Sequence, residues 1–139
     1  MIVEKPREDF LQMIAKGDLP EGSWLAVCLF IVPEWPHDLK LSTAHQKALI
    51  TYGKEILSIV DDGIFAQIGW TTFFIIARDE KESLSKKFSE AIVHFQAEDD
   101  YCRLWRYTIT EINDRGVQEV FTELEWQSYD AARQEGKNL

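Results

Sequence analysis

Cysteine is scarce in this chain, and so is every grouping that would organise a metal or redox centre. Cys28 and Cys102 stand apart, with no Cys-x-x-Cys spacing and no histidine pair beside them. Isolated thiols of this kind fit buried free cysteines in a reducing compartment, so a cytoplasmic protein is expected. His37, His45 and His94 show no spacing to one another or to the cysteines that suits a metal ion. None of Ser42, Ser58 and Ser83 sits in a Gly-x-Ser-x-Gly elbow, which removes the usual hydrolase signal. Positive charge is also short: 15 basic against 24 acidic residues leave a net charge of -9. Such a surface repels phosphates, so neither nucleic acid nor an anionic membrane is expected as a partner. The most apolar run, residues 24–33, is too short to cross a bilayer, and polar residues 4–22 precede it, unlike a signal segment. No repeat, low-complexity tract or linker divides the chain, so residues 1–139 read as a single domain.

What is plentiful is aromatic. Five Trp and eight Phe are many for 139 residues: either they are simply core, the first expectation, or some serve an interface as well. Pro6 opens a short amphipathic pattern through Phe10, Leu11, Met13 and Ile14, which Gly17 closes. Residues 24–32 contain no polar side chain, the pattern of a strand buried on both faces at the centre of a sheet. Pro33 ends it. Ser42 or Thr43 caps a helix running to about Val60, with Leu49, Ile50, Tyr52, Ile56 and Leu57 on its apolar stripe. A second long helix covers residues 80–96, with Leu84, Phe88, Ala91, Ile92 and Phe95 at helical spacing. Residues 101–112 alternate, placing Trp105, Tyr107 and Ile109 on one face and Arg106, Thr108 and Thr110 on the other. A last amphipathic helix, residues 117–133, is closed by Gly136-Lys137-Asn138.

Between the two long helices lies the stretch around which the chain is organised. Residues 64–68 and 72–77 are two apolar strand segments joined at Gly69-Trp70, a β-hairpin. The order αβαββαβα gives an α+β domain with a mostly antiparallel sheet. A hairpin between two helices is the centre of a ferredoxin-like palm. The sheet is expected from residues 24–32, 64–68, 72–77 and 103–112, with the first of these central and the long helices on one face.

In this order the residues resemble the GGDEF (diguanylate cyclase) domains. Gln67-Ile68-Gly69-Trp70-Thr71-Thr72-Phe73 stands where that family carries Arg-Tyr-Gly-Gly-Asp/Glu-Glu-Phe. Ala132-Arg133-Gln134-Glu135-Gly136-Lys137-Asn138 is similar to the closing Ala-Lys-x-x-Gly-Arg-Asn, although the family's Tyr falls one position early, at Tyr129. Pro6-Arg7-Glu8-Asp9-Phe10 is similar to the opening Pro-Asn-Arg-Arg-x-Phe. The resemblance implies a palm fold and a bacterial signalling context, and it also marks what is missing. The family holds Mg²⁺ through an Asp at the end of the first strand and the acidic third residue of the motif. Those positions correspond here to Ile31 and Thr71, and a neutral hydroxyl cannot replace an anionic ligand of a hard cation. Trp70 occupies the place of the Gly that lets the nucleotide approach the backbone. The product-inhibition motif Arg-x-x-Asp corresponds to Val60-Asp61-Asp62-Gly63, which lacks both its charges.

The expectation is therefore a degenerate, catalytically inactive GGDEF-like domain, not an enzyme, with Gly69, Trp70, Thr71, Thr72 and Phe73 as its altered motif. It needs no cofactor or metal and acts as a regulatory module through a protein partner or self-association. Trp70 and Trp35 are the candidate interaction residues, unless Trp70 folds back over the hairpin and plugs the empty pocket. The alternative is a non-catalytic receptor that binds GTP or cyclic di-GMP in an altered mode.

Overall fold

The computed structural model describes residues 2–19, 21–22, 24–31, 43–69, 72–96, 105–112 and 116–137, without the side chains of 43–46, 49, 96, 132 and 135–137. Five strands and four helices follow one another as β1 (Ile2–Glu4), α1 (Arg7–Lys16), β2 (Trp24–Ile31), α2 (Thr43–Leu57), β3 (Gly63–Gly69), β4 (Thr72–Ala77), α3 (Lys81–Gln96), β5 (Trp105–Ile112) and α4 (Val117–Lys137). The strands form one mixed, mostly antiparallel sheet in the order β1-β3-β4-β2-β5. Only β1 runs parallel to its neighbour, pairing Ile2 with Gly63 and Glu4 with Phe65.

β2 lies inside the sheet, between β4 and β5, and every one of its residues is buried. Its alternation divides the core. Leu25, Val27, Leu29 and Ile31 join Phe65, Phe73, Ile75 and Trp105 under α2 and α3, which contribute Ile56, Leu57, Leu84 and Phe88. Trp24, Ala26, Cys28 and Phe30 join Ala66, Phe74 and Ile76 under α1 and α4, which contribute Phe10, Ile14, Val120, Phe121 and Leu124. A strand with apolar side chains on both faces needs a cover on each. As expected, the two long helices flanking the hairpin, α2 and α3, share one face, while α4 covers the other with α1. The added edge strand β1 also makes β4, rather than β2, the middle of the five.

Local chemistry accounts for the element ends. Gly17 takes a left-handed conformation at φ 69°, and its N–H and that of Asp18 close α1 on the carbonyls of Ile14 and Met13. Gly53 lies in α2 against the side chains of β4 and β5. A Cβ there would fall 2.7 Å from the Phe73 ring and 2.8 Å from that of Trp105, so only hydrogen fits. α4 runs past Arg133 and ends at Lys137, inside the Gly136-Lys137-Asn138 stretch expected to close it. The helix formers Ala131, Ala132, Arg133, Gln134 and Glu135 precede that glycine, and a single interior Gly costs only about 1 kcal/mol. Among the described residues, no helix is long and apolar enough to cross a membrane.

Candidate functional site

The C-terminal end of β2 and the turn end of the β3–β4 hairpin meet at one end of the sheet, with the second half of α4 leaning over them. Phe30 pairs with Thr72 across β2 and β4, Gly69 pairs with Thr72 across the hairpin, and the register shifts between Gln67 and Gly69. The Arg7 guanidinium donates to the carbonyl of Ile68 at 2.9 Å and ties the start of α1 to this end. A cleft of about 260 Å³ opens here. Phe30, Ile31, Ile68 and Gly69 form its apolar floor, while Thr72, Ser128, Tyr129 and Glu125 supply the polar groups.

The chemistry of the cleft is subdued. Cys28 reaches its wall, but burial pushes the thiol up to about 12, the largest of the effects on it. A thiol held neutral in this way is no nucleophile. Ser128 is itself buried and spends its hydroxyl proton on the carbonyl of Leu124 at 2.7 Å, the neighbouring Thr108 hydroxyl lying 3.3 Å away. Ile31, at the position that the resemblance matches to a metal-binding Asp, is packed into the α2/α3 core. Of the altered motif, the structure places Gly69 and Thr72 on this cleft and buries Phe73 against Phe65 and Trp105. Trp35, Trp70 and Thr71 lie outside the described residues, as do His37, Ser42 and Cys102. The side chain of His45 is likewise not described. His94 is exposed near the end of α3, against the edge of Phe95. Among the described residues, no three His, Cys, Asp or Glu side chains are grouped to hold a metal ion.

The opposite end of the sheet carries the charges. Asp61 and Asp62, in the turn before β3, face cations that follow β4. Lys87 Nζ lies 2.9 Å from Asp79 Oδ2 and 3.5 Å from Asp61 Oδ2, and Arg78 lies 4.0 Å from Asp62. Arg78 also donates to the carbonyl of Glu21 and sits 4.4 Å over the Trp24 ring. The Asp61-Asp62 pair thus faces internal cations across the sheet end. Asp79 further accepts the backbone N–H of Glu80 at the entry to α3.

The hydrogen bond from Lys87 holds the Asp79 carboxyl below its ordinary value of 3.8, and Asp79 in turn raises the Lys87 ammonium above 10.5. A carboxylate whose folded pKa is depressed stabilises the fold above its unfolded pKa and loses that contribution as pH falls through the folded value. Asp79→Asn retains an acceptor for the Glu80 N–H and removes the charge, so it should cost up to about 1 kcal/mol at neutral pH. The difference from the parent protein should shrink as pH drops below about 4. Urea titrations across that range measure it, and a constant difference would show that the ion pair contributes nothing.

One candidate escaped the sequence reading. Trp126 projects from α4 with 65% of its surface exposed, and Tyr129 beside it with 61%. The signal was available: Val117, Val120, Phe121, Leu124 and Ser128 define the inward arc of the helix, and Trp126 falls opposite it. No family model and no curated protein matches this chain.

Proposed function

We propose that the chain is a ferredoxin-like palm of GGDEF type that has lost its cyclase chemistry and works in the cytoplasm as a regulatory module through protein contacts. The strand order supports the palm reading. Without the edge strand β1, the order β3-β4-β2-β5 with α2 and α3 on a single face is that of the split βαβ arrangement. The loss of chemistry is carried by one observation: the end of β2 offers buried Phe30 and Ile31 toward the hairpin, where a palm enzyme needs a carboxylate for its metal. The hairpin's described contribution, Gly69 and Thr72, is neutral as well.

The purified protein, given GTP with Mg²⁺ or Mn²⁺, is expected to form no cyclic di-GMP above a protein-free blank. Chromatographic detection of product would overturn the proposal. Thr71→Asp alone should remain silent, because Ile31 and Trp70 still replace a ligand and a glycine. Calorimetry with GTP and with cyclic di-GMP separates the regulatory module, which releases no heat, from a nucleotide receptor, which does.

A further inference from the structure

The outward face of α4 pairs an exposed indole with negative charge. Counting from Trp126, carboxylates stand at Glu119, Glu123 and Asp130, with the cation Arg133 two turns on, all on the side of the helix away from the sheet. Tyr129 flanks the indole on the other side, its ring 6.3 Å away and nearly perpendicular at 82°. That contact turns an edge of one ring toward the face of the other and helps fix the indole. A shallow concavity lined by Gln118, Glu119, Thr122, Glu123 and Trp126 runs beside it. Gln127 donates to Glu123 at 3.3 Å across the next turn. The core of the domain is complete without these side chains, since Val117, Val120, Phe121 and Leu124 seat α4 on the sheet.

We infer that this face of α4 docks a basic segment of another protein, with an Arg or Lys side chain laid on the Trp126 indole and its neighbours paired with Glu119, Glu123 and Asp130. An exposed Trp is the side chain that most favours a cation over its ring, and surrounding carboxylates raise the local concentration of such a cation. Charge complementarity selects the occupant. Phosphate-bearing partners, whether nucleic acid or lipid, meet three carboxylates and a chain of net charge -9. A second copy of the chain would set three carboxylates against three, with Arg133 of each copy too few to answer them. A basic peptide meets neither obstacle. The inference shares with the proposed function the idea of a protein partner but stands on α4 alone, and the cyclase assay does not bear on it.

The test uses the whole protein and three short fluorescein-labelled peptides: one rich in Arg and Lys, its Asp/Glu counterpart, and an uncharged Gly/Ser peptide. Anisotropy titrations should show binding of the basic peptide alone. Trp126→Ala should weaken it about tenfold or more, the loss expected of an interface aromatic anchor, with the melting temperature unchanged. The combined change Glu119→Gln, Glu123→Gln and Asp130→Asn should weaken binding and flatten its salt dependence. The same loss of charge placed at Glu8, Asp9 and Glu90 should leave most of the binding intact. Failure of the basic peptide to bind overturns the inference, as does unchanged affinity in Trp126→Ala. So does equal loss in the remote triple variant, which would mean diffuse attraction to the whole acidic surface. Sedimentation in which Trp126→Ala splits a dimer assigns the face to a second copy instead.

Discussion

Replacing Trp105 by Ala is expected to destabilise the protein by about 3–5 kcal/mol, a large share of the roughly 5–15 kcal/mol that holds a domain of this size together. Trp105 is the largest fully buried side chain of those described. It begins β5, packs 5.8 Å from Phe73 at an interplanar angle of 40°, and fills the space beneath Gly53 where α2 crosses the sheet. Removing the indole leaves a cavity whose walls belong to three elements, so little can collapse into it. Its ring nitrogen is buried without a hydrogen-bond partner among the described residues. Trp105→Phe should therefore cost less than its lost volume implies, because an orphaned donor disappears with the ring. Urea denaturation reads both variants. A midpoint for Trp105→Ala within error of the parent would show that β5 does not close the α2/α3 core.

Phe121→Ala should cost a similar amount, about 3–5 kcal/mol, from the other side of the sheet. Phe121 stacks on Phe74 with centroids 4.8 Å apart and meets Phe10 edge-on at 5.8 Å, so it joins α4 to β4 and α1 at once. The two clusters share no residue. The losses in Trp105→Ala and Phe121→Ala should accordingly add in the double variant to within about 0.5 kcal/mol. A thermal melt of Phe121→Ala that matched the parent would mean that α4 is not seated on the sheet through this ring.

Much of this architecture is legible in the residues alone. The unbroken apolar run of β2, the alternation of β5 and the helical stripes of α2 and α3 each announce their elements, because burial on two faces, one face or one stripe leaves a distinct period. Strand β1 has no such mark. Three residues carry too little pattern, Val3 among them is exposed, and the strand exists through its pairing with β3. The assignment of helices to faces is instructive. A stripe says that a helix buries one side, not which side of the sheet receives it. A strand apolar on both faces requires two covers, and with α2 and α3 on one of them, α1 and α4 supply the other. Gly69 and Thr72 pair at the end of the β3–β4 hairpin that its two apolar segments mark. Trp126 sits on the polar side of a helical stripe, and a Trp there gives a clearer sign of exposure than one in a turn.

The pairing of β2 with β5 has a consequence for the time course of folding. Trp24 is joined to Ile112 and Ile31 to Trp105, so the inner strand of the sheet acquires its second neighbour only when nearly the whole chain is available. During synthesis β2 emerges early, eight apolar residues long, with both of its edges open. Contacts so distant along the chain slow two-state folding toward the millisecond-to-second range. Glu21 before the strand and Glu34 after it place charge at both ends of that sticky segment, where gatekeepers hinder edge-to-edge association until β4 and β5 arrive.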